Sequence, residues 1–164
     1  MRRVIANTTP LIALANIDRL ELLHELYGTI IVPQAVVDEI ISEPAKQRVR
    51  SATWIKVETI QDPSQKDIFR ARLHAGEVEV MILAREQNAD LVIMDDNAAK
   101  KTAKFLGLNV TGTLGILLKA KKEGYLEMVE PIMNELILDG LFISDTVKGY
   151  VLKERSEERR VGKE

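Results

Sequence analysis

Residues 2–15 read RRVIANTTPLIALA, a stretch in which a strand, a turn and a helix follow each other directly. The apolar letters VIA stop at a polar amide, so a short buried strand is predicted to end at Asn7. Thr8 or Thr9 is a suitable helix N-cap, and Pro10 suits the first helical turn. The chain therefore turns abruptly from strand to helix, and Asn7 stands at that turn.

The same alternation of strand and helix continues along the chain. Strands that are apolar on both faces and alternate with helices are typical of an α/β protein, whose parallel sheet is covered on both sides. We expect one domain over residues 1–155, followed by a charged, disordered tail over residues 156–164. The further predicted strands lie at 29–32, 54–60, 90–94 and 108–110.

The composition excludes several classes of protein. The 164 residues include no cysteine, which excludes disulfides, thiolate chemistry and sulfur-based zinc sites. Only 4% of the residues are aromatic and the net charge is −2, so a broad phosphate-binding surface is not expected. There is no signal-peptide pattern and no run of ~18 apolar residues, so we expect a cytoplasmic protein without a membrane partner.

Polar residues follow two of the predicted strands at their carboxyl ends, where sites form in parallel sheets. Asn7 follows the first strand, and Asp95 and Asp96 follow the fourth. Adjacent carboxylates repel each other unless a cation or a donor lies between them. On pattern alone two interpretations stay open: Asp96 or Asn97 caps the next helix, or the pair belongs to a site for Mg²⁺ or Mn²⁺, which prefer oxygen ligands.

Three glutamates are also open to more than one interpretation. Glu77 lies in the first turn of a helix, where the helix dipole favours a carboxylate. Glu79 lies deeper in the apolar segment GEVEVMILA and is less easily explained in that way. Glu39 stands beside Asp38 in QAVVDEII, and helical geometry alone does not say which of the two faces inward, although composition favours a solvated helix face for Glu39.

A cluster of lysines, Lys100, Lys101 and Lys104, follows the aspartate pair. Such lysines are usually an ordinary soluble surface, but they can also draw a polyanion toward nearby carboxylates. The stretch VTGTLG at 110–115 resembles a phosphate cradle only loosely, because it lacks the Lys-Ser/Thr of a P-loop and the three-glycine dinucleotide fingerprint. A nucleotide-binding doubly wound domain is therefore the weakest alternative.

In this order, the motifs resemble the PIN-domain superfamily. They are the strand ending in Asn7 before TTPLI, a strand and a proline before VVDEI, then GEVEVMILA, LVIMDD and TGTLG. Within the superfamily, the sequence is most similar to a branch described as a domain of unknown function and related to VapC-type toxins. The resemblance covers about residues 3–150. It implies a single-domain α/β/α sandwich with a five-stranded parallel sheet of order 3-2-1-4-5.

The resemblance also implies an activity, metal-dependent cleavage of RNA phosphodiester bonds by the toxin half of a toxin–antitoxin pair. The implied partners are RNA, a small antitoxin-like protein and a second copy of the chain. The implied catalytic residues are Glu39, Glu77 and Asp96, and the implied ligands of Mg²⁺ or Mn²⁺ are these three with Asn7 and Asp95. Thr8 or Thr9 would orient a ligand or a water, and Lys100, Lys101 and Lys104 would bind the RNA.

The chain departs from the family pattern at its first position. PIN nucleases usually place aspartate there, and this chain has Asn7. An amide oxygen can bind Mg²⁺, but it contributes no charge and cannot act as a base. The alternative is therefore a catalytically weakened or inactive PIN-like protein that acts as an RNA- or antitoxin-binding module. Glu77 stands where many relatives have aspartate, a smaller change that keeps the charge.

Overall fold

Five parallel strands form the centre of the protein, and they confirm both the predicted α/β class and the strand order. The computed structural model describes residues 2–69 and 73–162. The sheet has the order β3-β2-β1-β4-β5, and every neighbouring pair is parallel. The strands are β1 (Val4–Ala6), β2 (Ile30–Pro33), β3 (Ile55–Glu58), β4 (Leu91–Ile93) and β5 (Val110–Thr111).

The three central strands are fully buried, as their continuous apolar sequences predict. The two edge strands, β3 and β5, are only partly covered. The register places Ile5 of β1 beside Ile31 of β2 and beside Val92 of β4. The first strand therefore lies in the middle of the core, and the turn that follows it is held firmly.

Helices flank this sheet and cover its apolar faces. The apolar segment GEVEVMILA belongs to one of these helices, and every residue from Gly76 to Ala84 is buried except the half-buried Glu79. The helices are α1 (Thr8–Asn16), α2 (Glu21–Tyr27), α3 (Gln34–Glu39), α4 (Ala45–Ser51), α5 (Lys66–Phe69), α6 (Ala75–Glu86), α7 (Asn97–Phe105), α8 (Thr113–Lys122), α9 (Glu130–Leu138) and α10 (Asp145–Gly162). Helix α6 packs on β1, β2 and α3, which brings its first turn close to the end of α3.

The carboxyl-terminal helix α10 extends past the predicted domain boundary at residue 155 and continues to Gly162. The division into a domain and a tail stays a prediction, and residues 163–164 of the expected tail lie outside the described residues. None of the helices in the described part of the chain is both long and apolar enough to span a bilayer.

Candidate metal-binding site

The residues predicted to bind metal lie at the point where the strand order reverses. The chain passes from β1 to β2 on one side, whereas β4 pairs with β1 on the other. Ala6 is in register with Ile93, and the Asn7 N–H donates to the Ile93 carbonyl at 2.8 Å. Asn7 therefore lies beside the segment that carries Asp95 and Asp96. Parallel sheets bind ligands in the crevice formed at such a reversal.

Asn7 carries a buried oxygen without a partner. The residue is only 5% exposed and occupies the N-cap position of α1, yet its side chain makes no capping hydrogen bond. Among the described residues, nothing donates a hydrogen bond to Asn7 Oδ1. Leaving a buried acceptor unsatisfied costs about 1–3 kcal/mol, so this atom is suited to a cation or another donor from a ligand.

Glu39, the last residue of α3, is held by two other segments. Its Oε2 accepts a hydrogen bond from the Thr8 hydroxyl at 2.6 Å, and its Oε1 accepts one from the Gly76 N–H at 2.7 Å. The solvated helix face belongs to the neighbouring Asp38, which is exposed and accepts from Gln34 on its own helix. Of the two neighbouring acids, Glu39 is thus the one that points toward the end of the sheet where Asn7 lies.

Glycine at position 76 is required by this arrangement. A Cβ at Gly76 would lie 2.5 Å from Glu39 Oε2 and 2.9 Å from Glu39 Cδ. Contacts this short do not occur between a carbon and a carboxylate, so any side chain at this position would displace Glu39. The Gly-Glu pair that opens α6 therefore supplies space at residue 76 as well as an acid at residue 77.

Glu77 is the most buried of the acids, with 6% exposure. Burial is the main cause that raises the pKa of its carboxyl, and the hydrogen bond from the His74 N–H at 3.0 Å opposes this. The negative charges of Asp96 and Glu39 raise the pKa of Glu77 further. The three carboxylates therefore act on each other electrostatically, although they come from three distant segments of the chain.

Asp96 has the capping role that the sequence left open. It is the N-cap of α7, and its Oδ1 accepts from the Ala99 N–H at 2.9 Å. Asp96 is exposed, so solvent and ligands have access to this carboxylate. Capping through Oδ1 is compatible with a ligand at Oδ2, and the two interpretations of Asp96 do not exclude each other.

Asp95 uses both of its oxygens within the protein. Oδ1 accepts from the Thr113 N–H at 2.7 Å, and Oδ2 accepts from the Thr113 hydroxyl at 2.6 Å. Thr113 is fully buried, and a Cβ on the preceding Gly112 would lie 2.8 Å from Asp95 Oδ1. These contacts favour a positioning role, in which Asp95 joins the end of β4 to the start of α8. A shared metal-ligand role for Asp95 stays a prediction.

Thr9 and Glu79 lie outside this group of acids or have other contacts. Thr9 is exposed, so Thr8 is the threonine whose hydroxyl contacts Glu39, a candidate metal ligand. Glu79 Oε1 accepts from the Ala35 N–H at 3.1 Å, and its Oε2 lies 3.3 Å from Lys66 Nζ. Glu79 thus ties α6 to the first turn of α3, a contact between elements that local sequence does not reveal.

Asn7, Glu39, Glu77 and Asp96 offer one amide oxygen and three carboxylates. These are all oxygen ligands, so their chemistry fits a hard divalent cation. Within the described ranges 2–69 and 73–162, no group of three His, Asp or Glu side chains is arranged as it stands to hold a metal ion. Each carboxylate is held by a donor from the protein, and like charges oppose a closer approach. We call Asn7, Glu39, Glu77 and Asp96 together the anionic pocket, in which the Oδ1 of Asn7 is the unsatisfied oxygen.

Comparison with known protein families places the chain beside one well-defined family. A family model described as a PIN domain, with a domain-of-unknown-function label, matches residues 3–157. No curated protein matches the sequence. The family match includes every element of the sheet and all the residues of the anionic pocket.

Proposed function

The chain belongs to the PIN-domain family, and on that premise we propose that it is a divalent-metal-dependent ribonuclease. Its reaction is hydrolysis of phosphodiester bonds in single-stranded or structured RNA, with Mg²⁺ or Mn²⁺ as cofactor. PIN domains have a nuclease-type fold, generally depend on divalent metals, typically bind RNA and often pair with antitoxins. We propose further that this protein is a cytoplasmic toxin, acts as a homodimer and is inhibited by a small antitoxin-like protein.

The observation that carries the proposal is the unpartnered Oδ1 of buried Asn7 at the same sheet end as three carboxylates. Asn7, Glu39, Glu77 and Asp96 would hold the ion. When bound, a divalent cation supplies Lewis-acid chemistry, which activates a water for attack and neutralises charge that develops on the phosphate.

The protein's own part is positioning, which contributes much of the rate in phosphoryl chemistry. Thr8 and Gly76 fix the carboxylate of Glu39, and His74 holds that of Glu77. Because the pKa of Glu77 is raised, the cation competes with a proton at this carboxyl, and metal affinity should increase with pH.

The direct test is a calorimetric titration with Mn²⁺, combined with cleavage of single-stranded RNA and tRNA, on wild type and Asp96→Asn. Asparagine is a good N-cap, so this variant keeps an acceptor for the Ala99 N–H and removes only the charge. We expect the metal affinity to fall by at least about tenfold, a loss that even outer-shell changes produce, with a comparable or larger loss of cleavage.

Glu39→Gln and Asp38→Asn form a matched pair for the same assay. The two residues are adjacent on α3, but only Glu39 contacts Thr8 and Gly76. We expect Glu39→Gln to impair metal binding and cleavage, and Asp38→Asn to leave both unchanged. The proposal fails if wild type cleaves no RNA with Mn²⁺ and binds the ion no better than Asp96→Asn does.

The neutral side chain at position 7 favours a second candidate, a catalytically weakened module that binds RNA or an antitoxin-like partner. Asn7 provides an oxygen without charge and cannot accept a proton as a base. Asn7→Asp separates the two functions in the cleavage assay. A large gain of cleavage would indicate a decayed site, whereas an unchanged or lower rate would show that Asn7 is an adapted ligand.

A further inference from the structure

A groove of about 490 Å³ opens beside the anionic pocket. Its walls come from α7, β5, the start of α8, the segment of residues 141–144 and the first turns of α10. Asp95, which is adjacent to the candidate ligand Asp96, is part of the lining. The groove therefore adjoins the end of β4 that carries Asp96, where the proposed cleavage takes place.

Aromatic side chains are scarce in this chain, yet two of them line this groove. Phe142 is 85% exposed, and Tyr150 is 54% exposed. Exposing a phenylalanine ring to this extent forgoes the gain from burying its apolar surface. An exposed ring in a concave site is a suitable platform on which a planar apolar ligand can stack.

The wall formed by α7 is basic. Lys100 and Lys104 line the groove, and they are four residues apart, so they lie on one face of the helix. Lys100 Nζ lies near the end of β4, since a Cβ on Gly112 would be 2.7 Å from this atom and 2.8 Å from Asp95 Oδ1. Lys101, on the same helix, is exposed but does not line the groove. The structure thus separates three lysines that the sequence presents as one cluster.

We propose that this groove binds a nucleobase of a single-stranded RNA substrate, stacked on Phe142, while Lys100 and Lys104 bind the phosphates beside it. The inference rests on the proposed function, which places the adjacent phosphodiester at the anionic pocket. Aromatic platforms combined with a positively charged groove are the general means by which proteins bind single strands. The volume is typical of a site for one small ligand, such as one nucleobase with its ribose.

The test is equilibrium binding of a fluorescent single-stranded RNA of about twelve nucleotides, followed by anisotropy in EDTA so that no cleavage occurs. Phe142→Ala is compared with Phe105→Ala, since Phe105 is 90% exposed but lies outside the groove lining. We expect Phe142→Ala to weaken binding by about tenfold, the value of one base–aromatic stack, and Phe105→Ala to have no effect.

Two further arms examine the base and the phosphate separately. An RNA of the same length with abasic residues should bind wild type about tenfold more weakly and should not distinguish wild type from Phe142→Ala. Lys104→Ala should weaken binding and reduce the salt dependence by about one phosphate contact, with a smaller effect for Lys101→Ala.

Equal RNA affinities for Phe142→Ala and Phe105→Ala would overturn the inference, as would tight binding of the abasic strand. It would also be overturned if Phe142→Ala retained RNA binding but lost self-association in sedimentation, because the groove would then be a protein contact. The proposed function is tested separately, by the loss of Mn²⁺ binding and of RNA cleavage in Asp96→Asn. If Phe142→Ala and Phe105→Ala bind RNA equally well while Mn²⁺-dependent cleavage still requires Asp96, only this inference fails.

Discussion

Replacing Gly76 by alanine tests whether the position of Glu39 governs metal binding. The new Cβ would lie 2.5 Å from Glu39 Oε2, and the ordinary separation of such atoms is about 3.5 Å. The carboxylate must therefore move by about 1 Å. Its hydrogen bonds from the Thr8 hydroxyl and the Gly76 N–H, now 2.6 and 2.7 Å long, would then exceed the range of a normal hydrogen bond.

The expected effects on stability and on function of Gly76→Ala differ in size. Alanine favours the helix by about 0.5–1 kcal/mol over glycine, which offsets part of the loss of hydrogen bonds to a charged group, about 1.5–3 kcal/mol each. Because Glu39 is flexible and half-buried, its carboxylate can turn toward water, and we expect the free energy of unfolding to fall by about 2 kcal/mol, the lower end of this balance. A displacement of 1 Å at a catalytic group can cost about 100-fold in rate, so cleavage should fall by that order.

Gly149→Ala is the matched control for this experiment. Gly149 lies in α10, and a Cβ at this position would meet no atom within 4 Å. Mn²⁺ affinity by calorimetry, RNA cleavage and thermal unfolding in EDTA are measured for both variants. If Gly76→Ala remains folded and binds Mn²⁺ and cleaves RNA as Gly149→Ala does, then the position of Glu39 does not control the site and the reasoning is refuted.

Two further predictions concern acids inside the fold. Burial raises the pKa of Glu77 above its usual value of 4.5, so the folded state binds this proton more tightly than the unfolded state does. The resulting stability is present below about pH 4.5 and is lost as the pH rises through the raised pKa. Glu77→Gln does not undergo this loss, so its unfolding free energy should increase relative to that of wild type from about pH 4 to about pH 8 in EDTA. A difference that stays constant with pH would contradict the burial argument. Thr113→Val removes the hydroxyl that donates to Asp95, and urea unfolding should show a loss of about 1.5–3 kcal/mol, whereas Thr113→Ser should keep most of the stability. An equal loss in the serine variant would show that the methyl group, not the hydrogen bond, is responsible.

The three central strands could be predicted from sequence because burial on both faces leaves an unbroken apolar run, which is a local signal. Helix starts were predicted less well. The sequence predicts Thr8 or Thr9 as the N-cap of α1, but that position belongs to Asn7. The hydroxyl of Thr8 donates to Glu39 on α3, and the hydroxyl of Thr113 donates to Asp95 beyond β4. A threonine in the local pattern of an N-cap can instead donate to a partner elsewhere in the fold. The local sequence does not reveal that partner.

The acids of the site could be located along the chain but not oriented. The sequence does not distinguish Glu39 from Asp38, since the choice depends on how α3 packs against the first turns of α1 and α6. Glu79 was harder to explain than Glu77 on pattern, yet Glu79 has a structural contact with Ala35 and Lys66. The groove was beyond prediction, because its lining comes from separate segments spread between Asp95 and Tyr150.

The neutral residue at position 7 has a physical consequence for the protein without its cation. An aspartate there would add a fourth negative charge at a position that is only 5% exposed, next to Glu39, Glu77 and Asp96. Burial already raises the pKa of Glu77, and the negative charges of Asp96 and Glu39 raise it further. Asn7 keeps an oxygen ligand while it avoids that repulsion, so the same substitution weakens attraction for a cation and stabilises the cation-free fold. In Asn7→Asp the two quantities should therefore change in opposite directions, with a higher Mn²⁺ affinity and a lower unfolding temperature in EDTA.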